Sequence, residues 1–127
     1  MRLSAIAKGD ATVAAYRSAD ASPVDVSALA VQTATTNQYV APSVTPTRPG
    51  EWVVVYWADK SSSNTGYAIP ATLTRRRTTT GSGGGHITAT VADTATTVAQ
   101  APTGTFLATG SAASSRAIGV TLALRAD

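Results

Sequence analysis

One stretch of the sequence combines glycines with a titratable side chain, as sites that bind phosphate or move protons do. It is Gly81–His86, which reads GSGGGH, and His86 is the only histidine in the chain. A phosphate-binding P-loop needs lysine followed by serine or threonine at its end, and a helix after it. Here a strand-like sequence follows the histidine. The stretch therefore predicts a hairpin turn that uses the backbone freedom of glycine.

The residue types of a Ser-His-Asp triad are also present, because the chain contains His86, Asp59 and several serines. No serine lies in a Gly-x-Ser-x-Gly setting, and no pattern orients the three groups. The chain has no cysteine, a single histidine cannot hold zinc without converging carboxylates, and no aspartate lies in a calcium-loop motif. We therefore expect a protein that is not an enzyme and that carries no cofactor or metal.

Three consecutive arginines, Arg75, Arg76 and Arg77, form the main basic cluster. On a strand, Arg75 and Arg77 would share one face and Arg76 would take the other. Their guanidinium groups could pair with acidic groups of a partner, or with a sialylated or phosphorylated surface. The alternative is that they protect an edge strand against aggregation.

The fold that positions these residues is organised around Glu51–Asp59, which reads EWVVVYWAD. This run of β-branched and aromatic residues, bounded by Pro49-Gly50 and a serine cluster, predicts a strand. A period of two puts Trp52 and Trp57 on opposite faces. Since both faces are apolar, we expect a central strand that is covered on both sides, with at least one tryptophan almost fully buried.

The other strand candidates are separated by turn signals at a spacing of roughly 8–12 residues, which is typical of antiparallel sandwiches and barrels. Arg2–Lys8 and Ala11–Arg17 flank Gly9-Asp10 and predict a hairpin. Val24–Gln32 predicts a strand with a bulge near Ala28, with a helix as the alternative. The fold class we expect is all-β, an antiparallel β-sandwich that is jelly-roll-like, in a single domain over residues 1–127.

Two segments alternate most clearly between apolar and polar residues, Ile87–Ala92 and Ala117–Arg125. In the first, the apolar residues are expected to face the core, and His86, Thr88 and Thr90 to face solvent. In the second, the alternation predicts an inward face made of the large aliphatic residues Ile118, Val120, Leu122 and Leu124.

Composition excludes several classes of protein. The net charge of the 127 residues is only +3, with 13% charged residues, and no broad basic stripe occurs, so we expect no nucleic acid partner. No apolar run is long enough for a membrane span. The first 15 residues include Asp10 and no apolar core of signal-peptide length, which predicts a protein made in a cytoplasm and not exported by a cleaved leader.

Several pieces of the chain resemble a known type of module. They are WVVVYWADKSS at 52–62, ATLTRR at 71–76, GSGGGHITATVAD at 81–93 and SSRAIGVTLAL at 114–124, with TVAAYRSADASPV at 12–24 before them. Together they resemble an Ala/Thr-rich jelly-roll-like β-sandwich module of actinobacteriophage virion proteins, of the decoration or minor tail type, and of actinobacterial surface proteins. In the resembling module further strands precede the segment at 12–24.

The resemblance implies a non-enzymatic virion structural protein, most often a capsid decoration (minor capsid) or tail-associated protein, assembled in the host cytoplasm. Its partners would be copies of itself, as a homo-oligomer such as a trimer, and a major capsid or tail protein. The alternative is a carbohydrate-binding or adhesion module of a bacterial cell-surface protein, whose partner would be a surface glycan.

The residues we expect at a partner contact belong to two groups. The first strand candidate has no proline or charge in its interior and would leave an unpaired edge, so it is open to strand addition from another chain. Its contact residues would be Arg2, Leu3, Ala5 and Lys8. The second group is the arginine cluster, Arg75, Arg76 and Arg77.

Overall fold

A computed structural model describes residues 8–17 and 19–126, and these residues contain strands and no helix. The described residues form eight strands: β1 (Ala19–Gln32), β2 (Thr36–Ala41), β3 (Trp52–Ser61), β4 (Tyr67–Ala68), β5 (Thr74–Thr80), β6 (His86–Asp93), β7 (Phe106–Ser114) and β8 (Ala117–Ala126). All of the pairings between them are antiparallel. The prediction of an all-β antiparallel fold is confirmed.

The strands form two sheets that pack as a sandwich. The first sheet has the order β1-β8-β3-β6-β5 and the second has the order β2-β7-β4. From β1 to β4 the chain alternates between the sheets, and the last strand returns beside the first, as in an eight-stranded jelly roll. The strands are divided unevenly, with five in the first sheet and three in the second, because β5 pairs with β6 at the edge of the first sheet.

The central strand is β3, as its apolar run predicts. It lies between β8 and β6, and its inward side chains Val53, Val55 and Trp57 are fully buried. They pack against residues of the second sheet, among them Tyr39 and Tyr67, whose rings meet edge to face at 5.5 Å between centroids. Trp52 lies on the opposite face and is half-buried, so the prediction for the two tryptophans is confirmed.

The chain before β1 does not form the predicted hairpin. Residues 11–17 lie outside any sheet, and the partner strand expected at Arg2–Lys8 lies outside the described residues except for Lys8. The strand β1 begins earlier than expected, at Ala19, and includes Pro23. Its register with β8 shifts between Ala19 and Ser27 and is regular from Ser27 to Gln32, so the irregularity precedes the position expected near Ala28.

The two sheets approach closely where β8 crosses β2. A Cβ atom added to Gly119 would lie 2.6 Å from the carbonyl carbon of Val40 and 2.9 Å from the Cα atom of Ala41. Glycine inside a strand often marks such a close approach of two backbones. The inward residues of β8 are accordingly small, and Ala117, Thr121 and Ala123 are buried.

Candidate functional site

The direction of the alternation on β8 is the opposite of what its residues predict. The residues that pair with the outward face of β3 are Leu124, Leu122, Val120 and Ile118. These large side chains point away from the second sheet and are only partly buried, while glycine, alanine and threonine face inward. The physical reason is the short distance between the sheets at Gly119, which leaves no room for a large side chain.

Strand β1 extends this apolar surface to the edge of the sheet. Leu29 lies opposite Val120, and Val31 lies opposite Ile118. The exposed fraction is 59% for Leu29 and 67% for Val31. We call Leu29, Val31, Ile118, Val120 and Leu122 the apolar strip. Single exposed apolar residues are ordinary, but a contiguous group on one face marks an interaction surface.

The strip borders a free strand edge. In the part of the chain that the structure describes, β1 pairs with β8 and with no other strand. Its regular stretch, 27–32, reads SALAVQ and contains no proline, charge or bulge. These are the devices by which proteins protect an edge, and the stretch lacks them.

The opposite edge of the same sheet is protected. It is β5, which reads TRRRTTT, and its register with β6 shifts between Arg75 and Arg77. Arginines together with a bulge discourage strand addition. The two edges of one sheet therefore differ, and only the β1 edge is suited to pairing with another strand.

The other half of the outward face is covered by the chain itself. Residues 8–17, which we call the crossing segment, run over β3, β6 and β5. Near one end, the carboxylate of Asp10 accepts hydrogen bonds from the hydroxyls of Tyr56 at 3.3 Å and Thr79 at 2.6 Å. At the other end, the Tyr16 hydroxyl donates to Asp93 at 3.0 Å, and the Tyr16 ring lies 6.4 Å from that of Trp52.

The bulge in β5 changes where the three arginines point. Arg75 donates to the main-chain oxygen of Tyr67 in the second sheet. Arg76 and Arg77 both line a cleft on the outward face, so the prediction that Arg75 and Arg77 share a face is wrong. The cause is the extra residue of the bulge, which breaks strict alternation.

Arg76 is held by a buried carboxylate. Its Nε and Nη2 atoms lie 2.7 Å and 2.8 Å from the two oxygens of Asp93, whose side chain is fully buried. Burial opposes the ionisation of Asp93, but the hydrogen bonds from Arg76, from the Ala95 N–H and from Tyr16 together lower its pKa. Burial and the neighbouring Asp93 raise the pKa of Tyr16 to about 12, so Tyr16 stays protonated and donates. The hydrogen bond from Tyr16 to Asp93 anchors this end of the crossing segment.

The remaining residues expected at a partner contact lie elsewhere. Lys8 is exposed and donates to the main-chain oxygen of Gly84, in the turn between β5 and β6. Arg2, Leu3 and Ala5 lie outside the described residues. The structure therefore places Lys8 and the arginine cluster on the β5 side of the sheet, far from the apolar strip.

His86 and Asp59 belong to a buried polar network, and the expectation that His86, Thr88 and Thr90 face solvent is wrong. Asp59 accepts hydrogen bonds from Asn64 and Tyr67. The two ring nitrogens of His86 lie 2.9 Å from the main-chain oxygen of Asn64 and 3.0 Å from that of Gly83. Only the doubly protonated imidazolium can donate to both carbonyls.

This geometry leaves His86 without the features of a catalytic base. The carbonyl groups of Asn64 and Gly83, aided by the charge of Asp59, raise its pKa. A base needs a free nitrogen that points at a substrate or a nucleophile. Both nitrogens here are occupied by main-chain oxygens, so the triad weighed from the sequence is not assembled.

Two further features, a metal site and a membrane-spanning helix, are not found in residues 8–17 and 19–126. No group of three or more histidine, cysteine, aspartate or glutamate side chains there could hold a metal ion. Within the same residues, no helix is long and apolar enough to cross a membrane. Comparisons of the chain with protein-family models, with curated proteins and with solved structures find no match.

Sequence reasoning missed the apolar strip, although one signal pointed to it. Alternation shows that the two faces of β8 differ, but it does not show which face meets the core. Gly119, in the middle of an otherwise regular strand, marks the face that another backbone approaches. This glycine assigns the small residues to the inside and the large ones to the outside.

Proposed function

We propose that the protein is a non-enzymatic structural subunit that works by assembly, with copies of itself and on the surface of a phage virion, as a decoration or tail-associated protein. The virion setting is supported by the sequence resemblance described above. Assembly is supported by the molecule's own surface, independently of that resemblance.

The observation that carries the proposal is the reversed distribution of side-chain size across β8 and β1. A strand that only closed a core would turn its largest aliphatic residues inward, since burial of each is worth about 1.5–3 kcal/mol. Here Leu29 and Val31 remain more than half exposed, beside partly buried Ile118, Val120 and Leu122. A partner that covers the strip would recover much of that free energy.

A second copy of the chain satisfies this surface by edge pairing. Two β1 strands related by a twofold axis would run antiparallel and would join two five-stranded sheets into one. Directly opposite residues share a face, so outward residues must meet outward residues. The register that centres the axis on Ala30 places Leu29 of one copy against Val31 of the other, so the exposed side chains cover each other.

Charge favours this pairing as well. The stretch 27–32 contains no charged residue, so two copies meet along it without repulsion. The paired stretch is about 20 Å long, and the contact is smaller than a standard protein interface of roughly 800 Å² per partner. We therefore expect a dissociation constant in the micromolar range, about 10–500 μM, which many simultaneous contacts on a particle would reinforce.

Analytical ultracentrifugation over about 10 μM to 1 mM protein tests the assembly. The wild type is expected to show a concentration-dependent dimer, and Val31→Lys to weaken it at least tenfold. Lysine at this position places a charge in the contact and protects the edge. Val40→Lys is the matched control, because Val40 is also an exposed valine but lies on the second sheet.

Two results would contradict the assembly claim. One is a wild-type chain that stays monomeric over the whole range, and the other is an equal loss in Val31→Lys and Val40→Lys. The virion claim has its own test, which is mass spectrometry of purified phage particles from a host that carries the gene. Absence of the chain from those particles would refute the virion setting and leave the self-assembly result unaffected.

A further inference from the structure

A cleft of about 830 Å³ opens between the crossing segment and the outward face of the first sheet. Trp52, Val91 and Leu124 contribute its apolar lining, and residues 11–17 form a wall. This volume lies in the range of clefts that bind small molecules. Its lining comes from β8, β3, β6 and β5, and Leu29 and Val31 of β1 are not among the lining residues.

Four arginines line the cleft, Arg17, Arg76, Arg77 and Arg125, against one acidic residue, Asp93. Two of the four are already paired. Arg76 binds Asp93, and Arg125 donates to Asp25 with the nitrogens Nε and Nη2 at 3.1 Å and 2.6 Å. The cleft thus has an excess of positive charge that its own carboxylate does not balance.

The excess resides on Arg17 and Arg77. Among residues 8–17 and 19–126, neither guanidinium group has a hydrogen bond or ion pair with another side chain or with the main chain. Both are exposed, so both guanidinium groups are available to a ligand. Guanidinium binds carboxylate and phosphate groups in a planar, two-point geometry that a lysine cannot reproduce.

We propose that this cleft binds an acidic sugar, with its carboxylate or phosphate held by Arg17 and Arg77 and its ring against Trp52. An aromatic side chain offers an apolar surface to the C–H face of a pyranose, and Trp52 is the half-buried aromatic residue on the sheet side of the cleft. A monosaccharide or the terminal sugar of a glycan fits the volume. The site goes beyond the proposed function and does not depend on the β1 contact.

The test is a comparison of ligands that differ in one group. Binding of glucuronate, glucose 6-phosphate and glucose is followed by NMR chemical shifts at up to about 20 mM ligand. Glucuronate differs from glucose in carrying a carboxylate at C6, and glucose 6-phosphate differs from glucose in carrying a phosphate there. The two ligands therefore test the carboxylate and the phosphate separately. We expect glucuronate or glucose 6-phosphate, or both, to bind at least tenfold more tightly than glucose.

Three variants locate the site. Arg77→Gln and Arg17→Gln are each expected to weaken binding of the acidic sugar at least fivefold, with urea unfolding curves that match the wild type. Arg116→Gln is the control, because it removes the same charge from an exposed position in the turn between β7 and β8. Its affinity is expected to stay within twofold of wild type.

The proposal is overturned if neither acidic sugar binds, if glucose binds as tightly as they do, or if Arg116→Gln weakens binding as much as Arg77→Gln does. If inorganic phosphate competed with the acidic sugar and bound with equal affinity, the claim that the site recognises a sugar would also be overturned, since the sugar ring would then contribute nothing to binding. Failure here leaves the assembly proposal standing, because sedimentation measures a different surface.

Discussion

Substitution of Gly119 by alanine tests the packing that sends the large side chains of β8 outward. The added Cβ would lie 2.6 Å from the carbonyl carbon of Val40, whereas ordinary contacts of this kind begin at about 3.4 Å. The carbonyl oxygen of Val40 would be closer still, so the sheets would have to separate by more than the roughly 0.8 Å that the carbon alone requires, or β2 would have to shift. The opposing atoms are backbone, and β2 is tied to β7 by its ladder, so the strain cannot be relieved by a rotamer change.

The magnitude follows from two opposing effects. Overpacking of a dense interior costs typically about 1–3 kcal/mol, and the clash here is with main chain rather than with a flexible side chain. Replacement of glycine by alanine in a strand recovers about 0.5–1 kcal/mol of conformational entropy. We therefore expect Gly119→Ala to lower the free energy of unfolding by about 2 kcal/mol, measured by urea denaturation.

Gly66→Ala is the matched control. No heavy atom lies within 4 Å of a Cβ added there, and Gly66 does not have a positive φ angle. Its free energy of unfolding is expected to stay within about 0.5 kcal/mol of wild type, or to rise slightly. If Gly119→Ala were as stable as Gly66→Ala, the sheets would not be in close contact at β8. The steric reason for an outward-facing apolar strip would then be gone.

Three further outcomes are expected. Trp57→Ala should cost about 3–5 kcal/mol of stability by chemical denaturation, and Trp52→Ala less than half of that, because only Trp57 is fully buried; equal costs would contradict the assignment of faces. The NMR signal of the single histidine, His86, should titrate with a pKa above the ordinary value near 6.5. The stabilisation from protonated His86 is then complete below pH 6.5 and is lost as pH rises through the folded-state pKa. A pKa at or below 6.5 would contradict the contacts of His86 with the two main-chain oxygens. Ionised Asp93 stabilises the fold above its unfolded-state pKa of about 4, and this stabilisation is lost as pH falls through its lowered folded-state pKa. Arg76→Gln removes a group that lowers the pKa of Asp93, so acid unfolding should move to higher pH. An unchanged midpoint of acid unfolding would show that the Arg76–Asp93 pair does not stabilise the fold.

Much of the architecture could be predicted from residue type and period. The run Trp52–Trp57 is β-branched and aromatic on both faces, which is sufficient to identify a central strand. The glycines of GSGGG predict the turn between β5 and β6, where Gly83 and Gly85 have positive φ angles of 76° and 61°. Both predictions depend on local chemistry, which a sequence displays directly.

The features that were missed depend on contacts between distant parts of the chain. Residues 11–17 have the composition of a strand, but they cross over the sheet instead of joining it. Tyr16 holds them there through its contacts with Asp93 and Trp52. The bulge at Arg76 breaks an alternation that the sequence presents as regular, because Arg76 pairs with Asp93. The orientation of β8 is decided by the distance between the two sheets, of which Gly119 is the one local sign in the sequence of that strand.

Disulfide trapping of the β1 edge tests the central claim most directly, and the absence of native cysteine makes it clean. In the proposed register Ala30 lies on the twofold axis, where opposite Cα atoms are about 4.5–5.5 Å apart, within the range that a disulfide bridges. Ala28 faces the same side of β1, but its counterpart in the second copy would lie about 13 Å away along the strand. Under mild oxidation at high protein concentration, Ala30→Cys is expected to form a covalent dimer rapidly, and Ala28→Cys to remain mostly monomeric. Equal rates for the two variants, or no dimer of Ala30→Cys, would contradict assembly through the β1 edge.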